Sequence, residues 1–188
     1  MKQQPRQKGP RLRLIQGGLE ARTVRNGIRV EVAALDAPAP ALDAVVVEDD
    51  TWAVLGADPQ LNDPGIPLEQ ALKDAESFQP WRPGSLVVRE GQPVELLAVV
   101  HDLDQSPTWR EEWIASTLEA VFTVAAQRGL RTVAMPLLGT IHGRLPAERA
   151  LTLLRNALDA QAEGWPRKLW LAVPRDTVRQ ALRALQVE

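Results

Sequence analysis

The sequence contains no cysteine and only two histidines, His101 and His142, among its 188 residues. Disulfide bonds, thiol nucleophiles and cysteine metal sites are therefore excluded. Zinc usually needs three or four well-placed nitrogen, sulfur or oxygen ligands, and two histidines leave little for such a site. We accordingly expect neither a metal ion nor another cofactor.

Long apolar runs and a strong charge imbalance are also absent. No stretch approaches the roughly 20 apolar residues that span a membrane, and no apolar core follows the basic N-terminal segment, as it would in a secretory signal. The 22 basic and 24 acidic residues nearly cancel, so the composition does not indicate binding to nucleic acid or to an anionic membrane. We expect a cytoplasmic protein without a membrane or nucleic-acid partner.

The chain length and the hydrophobic content of 45% are sufficient for one domain with a substantial core. Residues 1–10 contain lysine and arginine but no acid, and they are predicted to form a flexible basic tail. An arm that touches phosphate is the alternative. Residues 11–188 are predicted to form a single domain.

Helices and strands alternate with short connections in the second half of the chain, whereas the first half is richer in strands. The strands are predicted at Arg11–Gln16, Ile28–Leu35, Asp43–Val47, Ser85–Arg89, Val94–Val100, Thr132–Met135 and Leu169–Val173. The helices are predicted at 67–78, at 107–128, from Pro146 towards Gly164, and from Pro174 onward. This order predicts a three-layer α/β/α domain, with a mixed, mostly parallel sheet and helices on both faces. Residues 51–55 can be read as either strand or helix.

One segment has the composition of an anion-binding loop. The strand at 132–135 is followed by PLLGTIHGRLP, residues 136–146, and then by a helix. Ligands of open α/β sheets lie outside the carboxyl ends of the strands, and phosphates are held by backbone N–H groups of glycine-rich turns. Gly139 and Gly143 could place several N–H groups around a phosphate. An ordinary strand-to-helix connection is the alternative.

Residues 94–150 resemble the second half of a macro domain, a fold that typically holds ADP-ribose. The family shows a strand ending in histidine, a long helix ending near glycine, a strand, and a segment of the form PLLGTGxGGLP. This chain has AVVHDLDQSP, the helix at 107–128, and TVAMPLLGTIHGRLPAERAL. Upstream, DAVVV at 43–47 resembles the strand before the adenosine-side loop, and Gly65 with the helix at 67–78 resembles the turn and helix that follow it.

The resemblance implies a ligand, ADP-ribose or a related nucleotide, and two groups of binding residues. The loops of the diphosphate type would include Gly65, Leu138, Gly139, Thr140, Ile141, His142, Gly143 and Arg144. The adenosine and ribose side would include Glu48, Asp49 and Asp50.

Several of these positions depart from the family pattern. Residues 48–51, Glu-Asp-Asp-Thr, stand approximately where the family has Asn-Ala-Ala-Asn, whose second asparagine often orients the distal ribose. Ile141 and Arg144 occupy positions that are usually glycine, and a β-branched residue resists a positive φ. Each lost hydrogen bond to a charged group is worth on the order of 1.5–3 kcal/mol, so losing two or three would raise a dissociation constant about a thousandfold or more.

Three functions are therefore compared. A nucleotide-binding module with a weakened or altered pocket is favoured over a structural or interaction module that has lost its ligand and binds a protein partner. An ADP-ribosyl hydrolase ranks third, because the family asparagine is missing and no general base is evident.

Individual polar residues leave further alternatives. The side chain of Arg144 or His142 could contact phosphate in place of lost N–H donors. His101 is interpreted as a structural residue rather than a general base, with Asp102 as its nearest orienting partner. The acidic residues 48–50 could bind Mg²⁺, but a solvated turn is favoured.

Overall fold

The structure is a computed structural model that describes residues 21–55, 78–162 and 164–186. In chain order, the strands are β1 (Ala21–Arg25), β2 (Ile28–Ala34), β3 (Ala44–Asp50), β4 (Leu86–Arg89), β5 (Val94–His101), β6 (Thr132–Pro136) and β7 (Lys168–Val173). The helices are α1 (Glu111–Arg128), α2 (Ala147–Asp159) and α3 (Val178–Gln186). The basic tail, the strand expected at 11–16, Gly65 and the helix expected at 67–78 lie outside the described residues.

The strands form one sheet in the order β1-β2-β7-β6-β3-β5-β4. The five central strands are parallel to one another, whereas β1 and β4 pair antiparallel at the two edges. The α/β class with a mixed, mostly parallel sheet is therefore confirmed. None of the described helices is long and apolar enough to cross a membrane.

The main hydrophobic core lies between one face of the sheet and the three described helices. Alternate residues of β5, such as Leu96 and Ala98, point to this face because successive side chains of a strand lie on opposite sides. Helix α1 buries Leu118 and Phe122, which recur at helical spacing. Complete burial of one such large side chain stabilises the fold by about 1.5–3 kcal/mol.

Helix α1 begins four residues later than the sequence predicted. Ser106 and Pro107 favour a helix start, but the helix begins at Glu111, after Arg110 with an extended backbone at φ −136° and ψ 146°. The reason is a β-bridge between Trp109 and His101, which keeps the preceding segment out of the helix. Gly129 ends the helix as predicted, in the left-handed conformation at φ 66°.

The end of helix α2 and the start of helix α3 also differ from the prediction. Helix α2 ends at Asp159 rather than near Gly164, and the side-chain amide of Asn26 donates to the Asp159 carbonyl at 2.6 Å. The guanidinium of Arg25 hydrogen-bonds to the Asp159 carboxylate and lowers the pKa of that group, against a smaller opposing effect of desolvation. Helix α3 begins after a turn at residues 174–177 rather than at Pro174.

Three neighbouring parallel strands end at the same edge of the sheet. Strand β3 lies between β6 and β5, so the carboxyl ends of all three are adjacent. This arrangement brings together Glu48 near the end of β3, His101 at the end of β5, and the loop that follows Pro136 of β6. The edge is the position at which open α/β sheets hold their ligands.

Candidate functional site

The loop at residues 137–145, called the phosphate-type loop below, connects β6 to α2. Its turn is closed by hydrogen bonds from Thr140 N to Leu137 O at 3.2 Å and from Leu145 N to Gly139 O at 2.9 Å. Gly139 has φ 82°, a left-handed conformation that favours glycine.

The two non-glycine substitutions in this loop are accommodated differently. Arg144, at a position where the resemblance implies glycine, takes up a positive φ of 56°. Ile141 does not adopt a positive φ, and its side chain is 53% exposed. The side chains of His142 and Arg144 are also exposed, so they lie on the outer side of the loop, where a ligand could reach them.

The carboxylate of Glu48 lies beneath the phosphate-type loop and accepts hydrogen bonds from its backbone. Glu48 Oε2 accepts from Gly139 N at 2.9 Å, and Glu48 Oε1 accepts from His142 N at 3.2 Å. The glutamate side chain is buried, with 1% exposure. Two N–H groups that could contact a ligand phosphate are therefore already occupied by an internal anion.

His101 holds the same carboxylate from the other side. Its Nε2 lies 2.6 Å from Glu48 Oε1, its Nδ1 lies 3.2 Å from Thr108 Oγ1, and its side chain is fully buried. A ring with both nitrogens engaged is fixed in orientation, which agrees with a structural role. Asp102, the adjacent candidate partner in the sequence, is not among the residues that hydrogen-bond to the ring. Glu48 and Thr108 are, and the separation of 53 residues between Glu48 and His101 gives no local sequence signal.

Trp109 and Gly143 pack the loop against His101. The indole N–H of Trp109 donates to the carbonyl oxygen of Gly143. A Cβ atom on Gly143 would contact the Trp109 ring and would lie 2.7 Å from Gly139 O and 2.8 Å from His101 Cε1. Glycine is therefore required here by close approach, and the inner side of the loop has little room to move.

Asp50 occupies the N–H groups of the turn after β3 in the same manner. Asp50 Oδ1 accepts from Trp52 N at 2.7 Å, and Oδ2 accepts from Val54 N at 2.9 Å and Leu55 N at 2.7 Å. These bonds hold residues 51–55 in a turn, so the expectation of a strand or helix at this position is wrong.

The acidic residues at the end of β3 are buried rather than solvated. Glu48, Asp49 and Asp50 are 3%, 1% and 0% exposed, so the interpretation as a solvated turn is wrong. Asp49 Oδ1 accepts from Asp50 N at 2.8 Å. Among residues 21–55, 78–162 and 164–186, no group of three or more histidine or acidic side chains is arranged to hold a metal ion.

Three further N–H groups of the phosphate-type loop differ from the two that Glu48 holds, and they are called the outer donors below. The N–H groups of Ile141, Gly143 and Arg144 have no hydrogen-bond acceptor within the described part of the chain. Of the site residues expected from the sequence, the structure thus brings together Glu48 and residues 138–144, whereas Asp50 serves the neighbouring turn.

The sequence matches one family model and has counterparts among solved structures. The model is that of the macro domain, and it matches residues 65–154. No curated protein matches the sequence.

The solved structures with similar folds include the macrodomains of several organisms. A variant of the Oceanobacillus iheyensis macrodomain with ADPR is 14% identical, with a TM-score of 0.63, over 89% of this chain and 95% of that chain. A Trypanosoma brucei macrodomain in complex with ADP is 15% identical, with a TM-score of 0.59, over 83% and 68%. The macrodomain of Thermus aquaticus DarG is 21% identical, with a TM-score of 0.55, over 77% and 99%.

The family match and the fold agree with the resemblance that the sequence carries at residues 94–150. Residues 65–154 therefore match the macro-domain family model, and the described part of the chain has the macrodomain fold.

Proposed function

We propose that this domain binds ADP-ribose or a related nucleotide, weakly, through the outer donors of the phosphate-type loop. Macrodomains of the same fold have been solved with ADPR and with ADP. The loop lies at the carboxyl ends of β3, β5 and β6, which is where ligands of open α/β sheets bind.

This proposal depends on one observation, that some N–H groups of the loop donate to Glu48 and others do not. Gly139 and His142 donate to Glu48, whereas Ile141, Gly143 and Arg144 have no acceptor among the described residues. These three donors, together with the exposed guanidinium of Arg144, form a set that suits an anionic oxygen. A nucleotide phosphate is the anion that this fold holds in the solved macrodomains.

The affinity for the nucleotide is expected to be low because the N–H groups of Gly139 and His142 already donate to Glu48. Each hydrogen bond to a phosphate is worth on the order of 1.5–3 kcal/mol, so the loss of two costs about 3–6 kcal/mol. That loss corresponds to a dissociation constant about a hundredfold to ten-thousandfold higher than for a loop with all its donors free.

A structural or interaction module without a nucleotide ligand is the second candidate. The contact between Glu48 and the loop favours it, because this contact satisfies the inner N–H groups without any ligand. The hydrolase candidate has less support, since both ring nitrogens of His101 are engaged and the ring is fully buried.

Calorimetric titration of the full chain with ADP-ribose up to millimolar concentration distinguishes the first two candidates. We expect saturable binding, and we expect Arg144→Glu to weaken it at least about fivefold because it places a negative charge beside the phosphate. Arg89→Glu, a charge reversal on strand β4, serves as the matched control and should leave binding unchanged. The absence of both heat and thermal stabilisation at millimolar ADP-ribose would favour the second candidate.

A further inference from the structure

We infer that Glu48 is a resident anion that occupies the position of a ligand phosphate group and determines which anions the loop accepts. The inference rests on the proposed function for the identity of the ligand, but the placement of Glu48 does not depend on it. Glu48 lies near the carboxyl end of β3, two residues before the strand ends.

The contacts of Glu48 are those that a bound phosphate would make. Its two oxygens accept from the N–H groups of Gly139 and His142 at 2.9 and 3.2 Å, in a glycine-containing loop before the start of α2. A third contact comes from the imidazole of His101 at 2.6 Å. Backbone N–H groups before a helix and a ring N–H are donors that proteins use for phosphate oxygens.

Because Glu48 is buried under the loop, its carboxylate keeps a ligand phosphate away from the two N–H groups that it holds. The carboxylate is 1% exposed and lies under the loop, so a phosphate oxygen cannot reach Gly139 N or His142 N while the carboxylate is there. A phosphate held nearby would also place two negative charges close together, away from water, where repulsion is strong. A nucleotide therefore binds to the outer donors, and its affinity is limited by Glu48.

Removal of the carboxylate should convert the loop into a stronger anion site. Glu48→Ala frees two N–H donors and eliminates the internal charge, while the loop retains its closing hydrogen bonds at Thr140 and Leu145. We expect the affinity for ADP-ribose and for pyrophosphate to rise at least tenfold, which is about 1.4 kcal/mol. Glu48→Gln keeps the shape and one acceptor oxygen but loses the charge, so it should give a smaller gain.

Glu31 provides the matched control. It is the other buried glutamate of the described strands, at 2% exposure, but it lies on β2 and pairs with Lys168 at 2.6 Å, away from the phosphate-type loop. Glu31→Ala removes a buried carboxylate at similar structural cost and should leave nucleotide affinity unchanged.

The experiment is a calorimetric titration of the full-length chain and its three variants with ADP-ribose and with pyrophosphate. Thermal unfolding first establishes which variants are folded, and Glu48→Gln carries the test if Glu48→Ala does not fold. Tighter binding by the Glu48 variants, with Glu31→Ala equal to the wild type, supports the inference. Tighter binding by these variants supports the inference even if the wild-type chain binds neither ligand. Failure of the wild-type chain to bind would contradict only the proposed function.

Two outcomes would overturn the inference. In the first, the wild-type chain binds ADP-ribose and a folded Glu48 variant binds it equally or more weakly. This result would show that the carboxylate does not limit affinity, while the proposed function stands. A folded Glu48 variant and a wild-type chain that both fail to bind would contradict the inference and the proposed function together.

Discussion

His101→Ala is expected to lower the free energy of unfolding by about 3–5 kcal/mol, because it takes the side-chain partner away from the buried Glu48 carboxylate and leaves it only the two backbone N–H groups of the loop. The imidazole is fully buried, 2.6 Å from Glu48 and 3.2 Å from Thr108, so no water can take over its contacts without a change in packing. For a chain of this length, the melting temperature should fall by about 6–20 °C. Thermal and denaturant unfolding measure the change.

His142→Ala is the control for this prediction, since it removes the other histidine of the chain at an exposed position in the same site. We expect a change within about 0.5 kcal/mol. The double variant of Glu48 and His101 should cost less than the sum of the two single alanine variants, because the pair is removed as a unit. A loss below about 1 kcal/mol for His101→Ala would contradict a tight buried contact.

Gly143→Ala is expected to destabilise the fold by about 1–3 kcal/mol through overpacking. The added methyl group would contact the Trp109 ring, which is wedged between the loop and the rest of the site, and would lie 2.7 Å from a backbone oxygen that cannot rotate away. The ring must move, so its hydrogen bond to the Gly143 carbonyl should be lost. The indole N–H signal of Trp109 in a nuclear magnetic resonance spectrum reports this loss.

Gly129→Ala is the control that separates overpacking at Gly143 from the general effect of replacing a glycine. An added Cβ at Gly129 meets nothing within 4 Å, and its φ of 66° makes the cost one of backbone strain, about 1–2 kcal/mol. The Trp109 indole signal should remain at its wild-type position. If Gly143→Ala left that signal unchanged as well, the close packing of the loop would be contradicted.

Strands β2 to β7 and the phosphate-type loop could be predicted because their signals are local, whereas strand β1 (Ala21–Arg25) was not predicted. Continuous apolar runs at 43–47 and 169–173 indicate buried strands, and both are found in the sheet. PLLGTIHGRLP carries its glycines and its position before a helix within 11 residues. Gly129 is a local signal of the same kind, and it ends helix α1 as predicted.

The inner partner of the loop could not be predicted, because it comes from a distant part of the chain. Glu48 and Gly139 are separated by 91 residues, and only the pairing of β3 with β6 and β5 brings them together. An acidic segment at a strand end is usually solvated, and residues 48–50 were interpreted wrongly because they were expected to follow this rule. The start of α1 was missed for a similar reason, since the bridge between His101 and Trp109 has no sequence pattern.

The most direct test of the central claim is an amide nuclear magnetic resonance titration of the wild-type chain with ADP-ribose. If Glu48 holds the inner donors and the outer donors receive the nucleotide, the amide signals of Ile141, Gly143 and Arg144 should shift, while those of Gly139 and His142 shift little. Large saturating shifts at Gly139 and His142, equal to those of the outer amides, would show that the ligand displaces Glu48 and would contradict the account.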